Sequence, residues 1–113
     1  MLAIILAAVA AASAPSPLDS ARDRQDRAAL EKLAGDAGAA ALKASKDAGA
    51  QYRAALAYSY LAEVAIELRD RKAGRLFAEQ GMRFGEKAVA MQPDSAENYR
   101  VLGTLYGQAI TDL

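Results

Sequence analysis

The feature that most constrains the fold of this chain is an internal repeat. When the sequence is shifted by 47 residues against itself, small residues fall on small residues and an aspartate falls on an aspartate. The matched pairs are Leu30 with Phe77, Ala34 with Gly81, Gly38 with Gly85, Ala41 with Ala88, Leu42 with Val89, Asp47 with Asp94, Tyr52 with Tyr99 and Arg53 with Arg100. Steps of four and three place the small residues on one helix face. A period of this length is typical of a helical repeat protein.

The composition predicts that all regular structure is helical. The chain has 113 residues, enough for one small domain, and 53% of them are hydrophobic. Of these, 29 are alanine, the residue with the highest helix propensity, and no proline occurs between Pro17 and Pro93. Because alanine is small, it also lets neighbouring helices approach closely. We therefore predict an all-α fold.

The apolar periodicity and the turn residues predict four antiparallel helices. The first covers about 26–45, with Asp19 or Ser20 as an alternative start, and is followed by a turn at Lys46 and Asp47. The next two cover about 48–69 and 73–91, and Pro93 ends the third. Asp94 or Ser95 caps a fourth helix that runs to the C-terminus. Short connections between such helices make a bundle or a solenoid of helix-turn-helix repeats.

Three glycines in the last two predicted helices need a structural reason. Glycine inside a helix costs about 0.5–1 kcal/mol relative to alanine. We expect Gly81 and Gly85 to let the third helix approach its neighbours, and Gly103 to do the same for the fourth. Charged residues in and beside these segments argue against a membrane helix pair, although its glycine spacing is similar.

The N-terminal residues are typical of a signal peptide. The apolar run from Leu2 to Ala12 is shorter than the roughly 20 residues that span a membrane, and Ala12 and Ala14 form an Ala-x-Ala cleavage site. Because Pro15 directly follows that site, cleavage after Ala10 or Ala12 is an equal alternative. We predict a signal peptide over 1–14, a linker or helix start over 15–25, no stable membrane span, and a periplasmic or secreted protein. A basic residue before the run is missing, so a buried or frayed N-terminal helix is the alternative. If the segment were retained, the protein would be a loosely membrane-attached scaffold.

The stretch "YRVLGTLY", residues 99–106, resembles the first-helix pattern of the tetratricopeptide repeat, with tyrosine in place of the usual tryptophan. The preceding helix, with small residues before Pro93, resembles the second-helix pattern of that family. The resemblance covers about 26–113, and it is closest over 93–108. The repeat of 47 residues departs from the 34 of the family. Lengthened repeats of this kind are similar to those of exported bacterial tetratricopeptide proteins, including periplasmic components associated with transporters.

The resemblance implies a concave groove lined by the first helices of successive repeats. Arg53 and Arg100 each follow an aromatic residue and would point into it one repeat apart, where two guanidinium groups can hold a carboxylate or a phosphate. Tyr60, Thr104 and Gln108 would share the groove. The alternative is that the two arginines are ordinary solvated surface residues. The five tyrosines of the chain are more typical of a helical core with hydroxyls reaching water than of a ligand cage.

The residue composition argues against several functional classes. The chain has no cysteine and no histidine, which removes thiol nucleophiles, Cys/His zinc sites and the Ser-His-Asp arrangement. Positive and negative residues balance at 14 each, so no basic field favours nucleic acid. Glu63, Glu67 and Asp70 share a helix face, but salt bridges explain them better than a metal site does. We expect no cofactor, no metal and no catalysis.

The sequence therefore predicts a non-catalytic, tetratricopeptide-like module that binds a peptide or protein partner in its groove. The alternative is a periplasmic small-ligand-binding component of a transport system, which would have a deep pocket near Arg53, Tyr60 and Arg100. The fourth helix raises a further question, because its apolar face would lack a neighbour: Val101, Leu102, Leu105, Tyr106 and Ile110. We expect either that the sequence is part of a longer repeat protein or that the C-terminal helix mediates self-association.

Overall fold

The computed structural model describes residues 14–110, and this part of the chain is built from helices without a strand. The five helices are α1 (Pro17–Asp23), α2 (Arg27–Lys43), α3 (Ala48–Glu67), α4 (Arg71–Met91) and α5 (Ala96–Ala109). Each packs against the next along the chain, and α1 and α5 both pack against α3. The described part is therefore an all-α fold of helix-turn-helix units, as predicted. The predicted signal peptide lies outside the described residues except for Ala14. None of the described helices is long and apolar enough to cross a membrane.

A side-chain cap fixes the start of every helix. An Asp or Ser oxygen accepts a hydrogen bond from the backbone N–H three residues later, which satisfies a donor that the helix itself leaves unpaired. The caps are Ser16, Asp26, Asp47, Asp70 and Ser95. Of the two predicted caps of the last helix, the structure uses the serine.

The first predicted helix, about 26–45, is confirmed as α2, with Asp26 as its cap. The alternative start at Asp19 or Ser20 is wrong, because α1 ends at Asp23 and the chain turns at Gln25, whose backbone takes a left-handed conformation with φ of 53°. Helix α1 lies before this corner and α2 begins after it. Nothing in the composition marks the break, because the corner uses glutamine where glycine would be the usual residue.

The same corner occurs again between α3 and α4. Arg69 has φ of 68°, and the next residue, Asp70, caps α4 as Asp26 caps α2. The backbone N–H of each capping aspartate donates to the carbonyl five residues earlier, at 2.9 Å to Ala21 O and at 2.8 Å to Ala65 O. The pair α1–α2 is thus built like the pair α3–α4, and the repeating unit begins at α1.

The turns between pairs are also equivalent. A buried amide side chain of the following helix donates to a carbonyl of the preceding one: Gln51 Nε2 to Ala41 O at 2.9 Å, and Asn98 Nδ2 to Ala88 O at 3.2 Å. Both pairs of positions are related by the 47-residue shift found in the sequence. The repeat is therefore visible in individual hydrogen bonds as well as in residue size.

The core is made of small residues around a few large ones. Helix α3 contacts every other helix, and half of its residues are buried, most of them alanine. The largest fully buried apolar side chains are Leu30, Leu61, Val64, Val101 and Leu105. Because alanine adds little bulk, the backbones of α3 and its neighbours come close together.

Two of the three glycine predictions are confirmed. Gly81 and Gly85 are buried, and a Cβ on Gly81 would lie 2.7 Å from both Leu105 Cδ2 and Tyr58 Cβ. A Cβ on Gly85 would lie 3.1 Å from Leu102 Cδ1. The prediction for Gly103 is wrong, because this residue is exposed and no neighbouring atom lies within 4 Å of the position of a Cβ.

The apolar face of α5 is mostly covered, which corrects the expectation that it lacks a neighbour. Val101, Leu102 and Leu105 are buried against α3 and α4. Tyr106 and Ile110 are exposed, at 42% and 57%. The uncovered apolar surface of this helix is therefore smaller than the sequence pattern indicates.

Candidate functional site

Helices α1, α3 and α5 present a charged and aromatic surface with α3 in the centre. On α3, half-buried side chains recur every four residues at Tyr52, Leu56 and Tyr60, so they form one stripe along the helix. Arg22 from α1 and Arg100 from α5 approach this stripe from its two sides. We call this surface the groove face and define it by Arg22, Tyr52, Leu56, Tyr60, Glu63, Glu97 and Arg100.

One side of the groove face is a hydrogen-bonded group between α3 and α5. The hydroxyl of Tyr52 donates to Glu97 Oε1 at 3.1 Å, and Arg100 Nε donates to the same oxygen at 3.0 Å. The hydrogen bond from Arg100 lowers the pKa of Glu97. Burial and the hydrogen bond to Glu97 both raise the pKa of Tyr52. At neutral pH the carboxylate is therefore ionised and the phenol is a donor.

On the other side, an arginine of α1 covers an aromatic ring of α3. The guanidinium carbon of Arg22 lies 4.3 Å from the centroid of the Tyr60 ring, which is a cation–π distance. Burial raises the pKa of Tyr60, although the charge of Arg22 acts in the opposite direction. Arg22 also pairs with Asp23, with 3.3 Å between Nε and Oδ1. These contacts hold the arginine over the ring.

The fold shifts the pKa of a second carboxylate on this face in the opposite direction from that of Glu97. Burial raises the pKa of Glu63, and the neighbouring charge of Glu67 raises it further. Arg22 lowers the pKa of Glu63, but by less than burial or the charge of Glu67 raises it. The groove face thus carries one carboxylate, Glu97, that the fold stabilises as an anion and another, Glu63, that it disfavours.

The structure brings two of the predicted groove residues together. Tyr60 and Arg100 lie close enough for the charge of the arginine to oppose the rise in the pKa of the phenol. Thr104 is exposed, and its hydroxyl donates to Arg100 O on its own helix at 3.0 Å. Gln108 is half-buried and joins α5 to α3, because its Nε2 donates to Ser59 O at 2.9 Å.

Arg53 and Arg100 both turn back toward the first turn of their own helix. The guanidinium of Arg53 runs back along α3, and Nη1 lies 3.1 Å from the position that a Cβ on Gly49 would take. Arg100 Nε donates to Oε1 of Glu97, the second residue of α5. One of the two predicted groove arginines is therefore already paired with a carboxylate, and binding of one anion by both stays a prediction.

Sequence reasoning missed the partners that fix this surface. Neither Arg22 nor Glu97 was singled out from the sequence. The sequence does contain a signal for Glu97, because Glu97 and Arg100 are three residues apart on one helix and can form an ion pair. No local pattern predicts that Arg22 meets Tyr60, since that contact depends on the corner at Gln25.

The carboxylates considered as a cation site have other partners. Asp70 Oδ2 accepts from Arg27 Nη1 at 2.8 Å, and Glu67 Oε1 accepts from Gln25 Nε2 at 3.1 Å. These bonds join the two equivalent corners of the fold. Within residues 14–110, no group of three acidic, histidine or cysteine side chains is arranged to hold a metal ion.

Comparisons with protein-family models, with curated proteins and with solved structures find no match to this chain. The arrangement of side chains on the groove face is therefore the main guide to function.

Proposed function

We propose that this protein is a non-catalytic, tetratricopeptide-like interaction module that binds a peptide segment of a partner protein on the groove face. The observation that carries the proposal is the placement of two half-buried tyrosines between arginines that come from different helices. Aromatic and arginine side chains supply much of the binding energy at protein interfaces. A peptide lying along α3 would contact all three helices that form the face.

The local contacts support binding without large rearrangement. Arg22 is already stacked on Tyr60, and Arg100 is already paired with Glu97, so these side chains have lost much of their freedom before a partner arrives. Such preorganisation reduces the entropy that binding must overcome. Charges of both signs on the face favour a partner of mixed polarity over a uniformly charged polymer.

The predicted signal peptide adds an expected location. With residues 1–14 removed after export, the module would meet its partner in the periplasm or outside the cell. The intact mass of the protein after expression in a bacterium tests this part directly. A mass that corresponds to the full 113 residues would contradict cleavage.

The binding proposal is tested with a displayed peptide library. Peptides selected on the wild-type chain are measured against an Arg22→Gln, Arg100→Gln double variant, for which we expect about tenfold weaker binding. The matched control is Arg71→Gln, Lys72→Gln, which removes the same charge from exposed positions at the start of α4. Equal affinity of both variants for the selected peptides would contradict a groove-face site.

A further inference from the structure

A second concave surface lies between α2, α3 and α4, formed by side chains that the groove face does not use. It is an open depression of about 340 Å³, a volume at the lower end of the range for small-molecule sites. Leu42 comes from α2, Tyr58 from α3, and Arg83, Phe84 and Lys87 come from α4. Tyr58 is six residues beyond Tyr52 on α3, which turns it away from the groove face.

The inner part of this depression is aromatic. The rings of Tyr58 and Phe84 stack with their centroids 6.0 Å apart and their planes 12° apart. Gly38 lies against both rings, and a Cβ there would be 3.4 Å from Phe84 Cζ and from Tyr58 Cε2. Because Gly38 has no side chain, both rings lie close to the backbone of α2. Leu42, at the edge, is 73% exposed and offers apolar surface that a ligand would cover.

The edge of the depression is cationic. Arg83 and Lys87 are one turn apart on α4, and both are exposed. Neither forms a salt bridge with a carboxylate of the described residues, whereas Arg22, Arg27 and Arg100 all do. No carboxylate lines the depression within the part of the chain that the structure describes. Two cations beside an aromatic floor complement an anion that has an apolar body.

We propose that this depression binds a small monocarboxylate with an aliphatic or aromatic body. The body lies on the Tyr58 and Phe84 rings and covers Leu42, while the carboxylate accepts hydrogen bonds from Arg83 and Lys87. Apolar contact supplies affinity and the two cations select the charged head group. This site is independent of peptide binding on the groove face.

Octanoate is the probe, titrated into the full-length ¹⁵N-labelled chain, with 1-octanol as the neutral ligand of equal length. We expect saturable amide shifts around Leu42, Tyr58 and Phe84, and at least fivefold weaker binding of octanol. We expect a similar loss for octanoate in the Arg83→Gln, Lys87→Gln variant, from the two lost ion contacts. The Arg71→Gln, Lys72→Gln variant, with the same charge change on the same helix, should bind octanoate as the wild type does.

A second variant keeps the test decisive if the double substitution disturbs α4. Leu42→Glu lies on a highly exposed position of α2, so it should leave the fold intact while it places a negative charge at the edge and abolishes octanoate binding. Circular dichroism confirms helicity in each case. Absence of saturable shifts in the wild type, equal affinity for octanol, or shifts confined to the groove face would each overturn the proposal.

Discussion

Single atoms decide how closely the helices of this protein approach one another. At Gly81, the space that a side chain would occupy is already filled by Leu105 of α5 and by Tyr58 of α3. At Gly103, on the outer side of α5, the same space is empty. Both residues are glycines within a helix, so the sequence does not distinguish them, whereas their packing environments differ.

Substitution of these two glycines should therefore have opposite effects. We expect Gly81→Ala to destabilise the fold by about 1–3 kcal/mol, because the added methyl group displaces packed atoms. We expect Gly103→Ala to stabilise it by about 0.5–1 kcal/mol, because alanine favours the helix and meets no obstacle. Urea unfolding of both variants measures the difference. Equal stability of the two would contradict close packing at Gly81.

The two groove-face carboxylates should respond to pH in opposite directions. The pKa of Glu63 is raised in the folded state, so folding loses stability as the pH rises through the ordinary range of a glutamate, about 4.3, and above it. The pKa of Glu97 is lowered, so its stabilising contribution is present above that range and is lost as the pH falls through the lowered value.

Removal of each charge tests these signs. At pH 7 we expect Glu63→Gln to be more stable than the wild type and Glu97→Gln to be less stable. The Glu63→Gln difference should disappear at pH 3, where that carboxyl group is protonated in both states, and the Glu97→Gln difference should shrink as the pH falls toward the lowered pKa of Glu97. The measurement is the free energy of unfolding in urea at the two pH values. A stabilising Glu97→Gln at pH 7 would show that the pairing with Arg100 and Tyr52 is absent in solution.

At the scale of helices, the sequence was sufficient where a residue carries its own structural signal. The caps Asp47 and Ser95 and the stop at Pro93 gave the start of α3 and the α4–α5 turn, because their side chains act on the nearest turn of the backbone. The sequence predicted breaks near Gln25 and Arg69 but not their left-handed corners, since neither residue type favours a left-handed backbone. Helix α1 was missed with them, because only Ala21 in it is buried and it therefore has almost no apolar pattern.

The amide at each turn between repeats should hold the following helix in place. Asn98→Ala removes one of the two hydrogen bonds to the carbonyl of Ala88, since Gln92 N–H also donates to it, and we expect this to cost about 0.5–1.5 kcal/mol. The control is Thr104→Ala on the same helix, where an exposed hydroxyl bonds only to its own backbone and the loss should stay within about 0.5 kcal/mol. Amide hydrogen exchange along α5 measures both. Unchanged protection of α5 in Asn98→Ala would contradict this role.

At the scale of the whole molecule, α3 organises the fold and both candidate surfaces. It contacts all other described helices. Its Tyr60 and Tyr52 meet Arg22 of α1 and Glu97 of α5, and its Tyr58 lines the depression with residues of α2 and α4. The repeat in residue size predicted stacked helix pairs, and the resemblance to the tetratricopeptide repeat placed Tyr60 and Arg100 on one surface. What the sequence did not contain is side-chain direction at helix surfaces. Arg53 and Arg100 are equivalent in the repeat, and both turn back toward the first turn of their own helix, Arg53 near Gly49 and Arg100 onto Glu97.

The central claim is that one surface, made jointly by α1, α3 and α5, binds a peptide. The most direct test is amide chemical-shift mapping of the ¹⁵N-labelled full-length chain with a peptide selected on the wild type. We predict that shifts appear together around Arg22, Tyr60 and Arg100, one from each helix. Shifts confined to α5 around Tyr99 and Tyr106, or confined to the depression between α2 and α4, would contradict it.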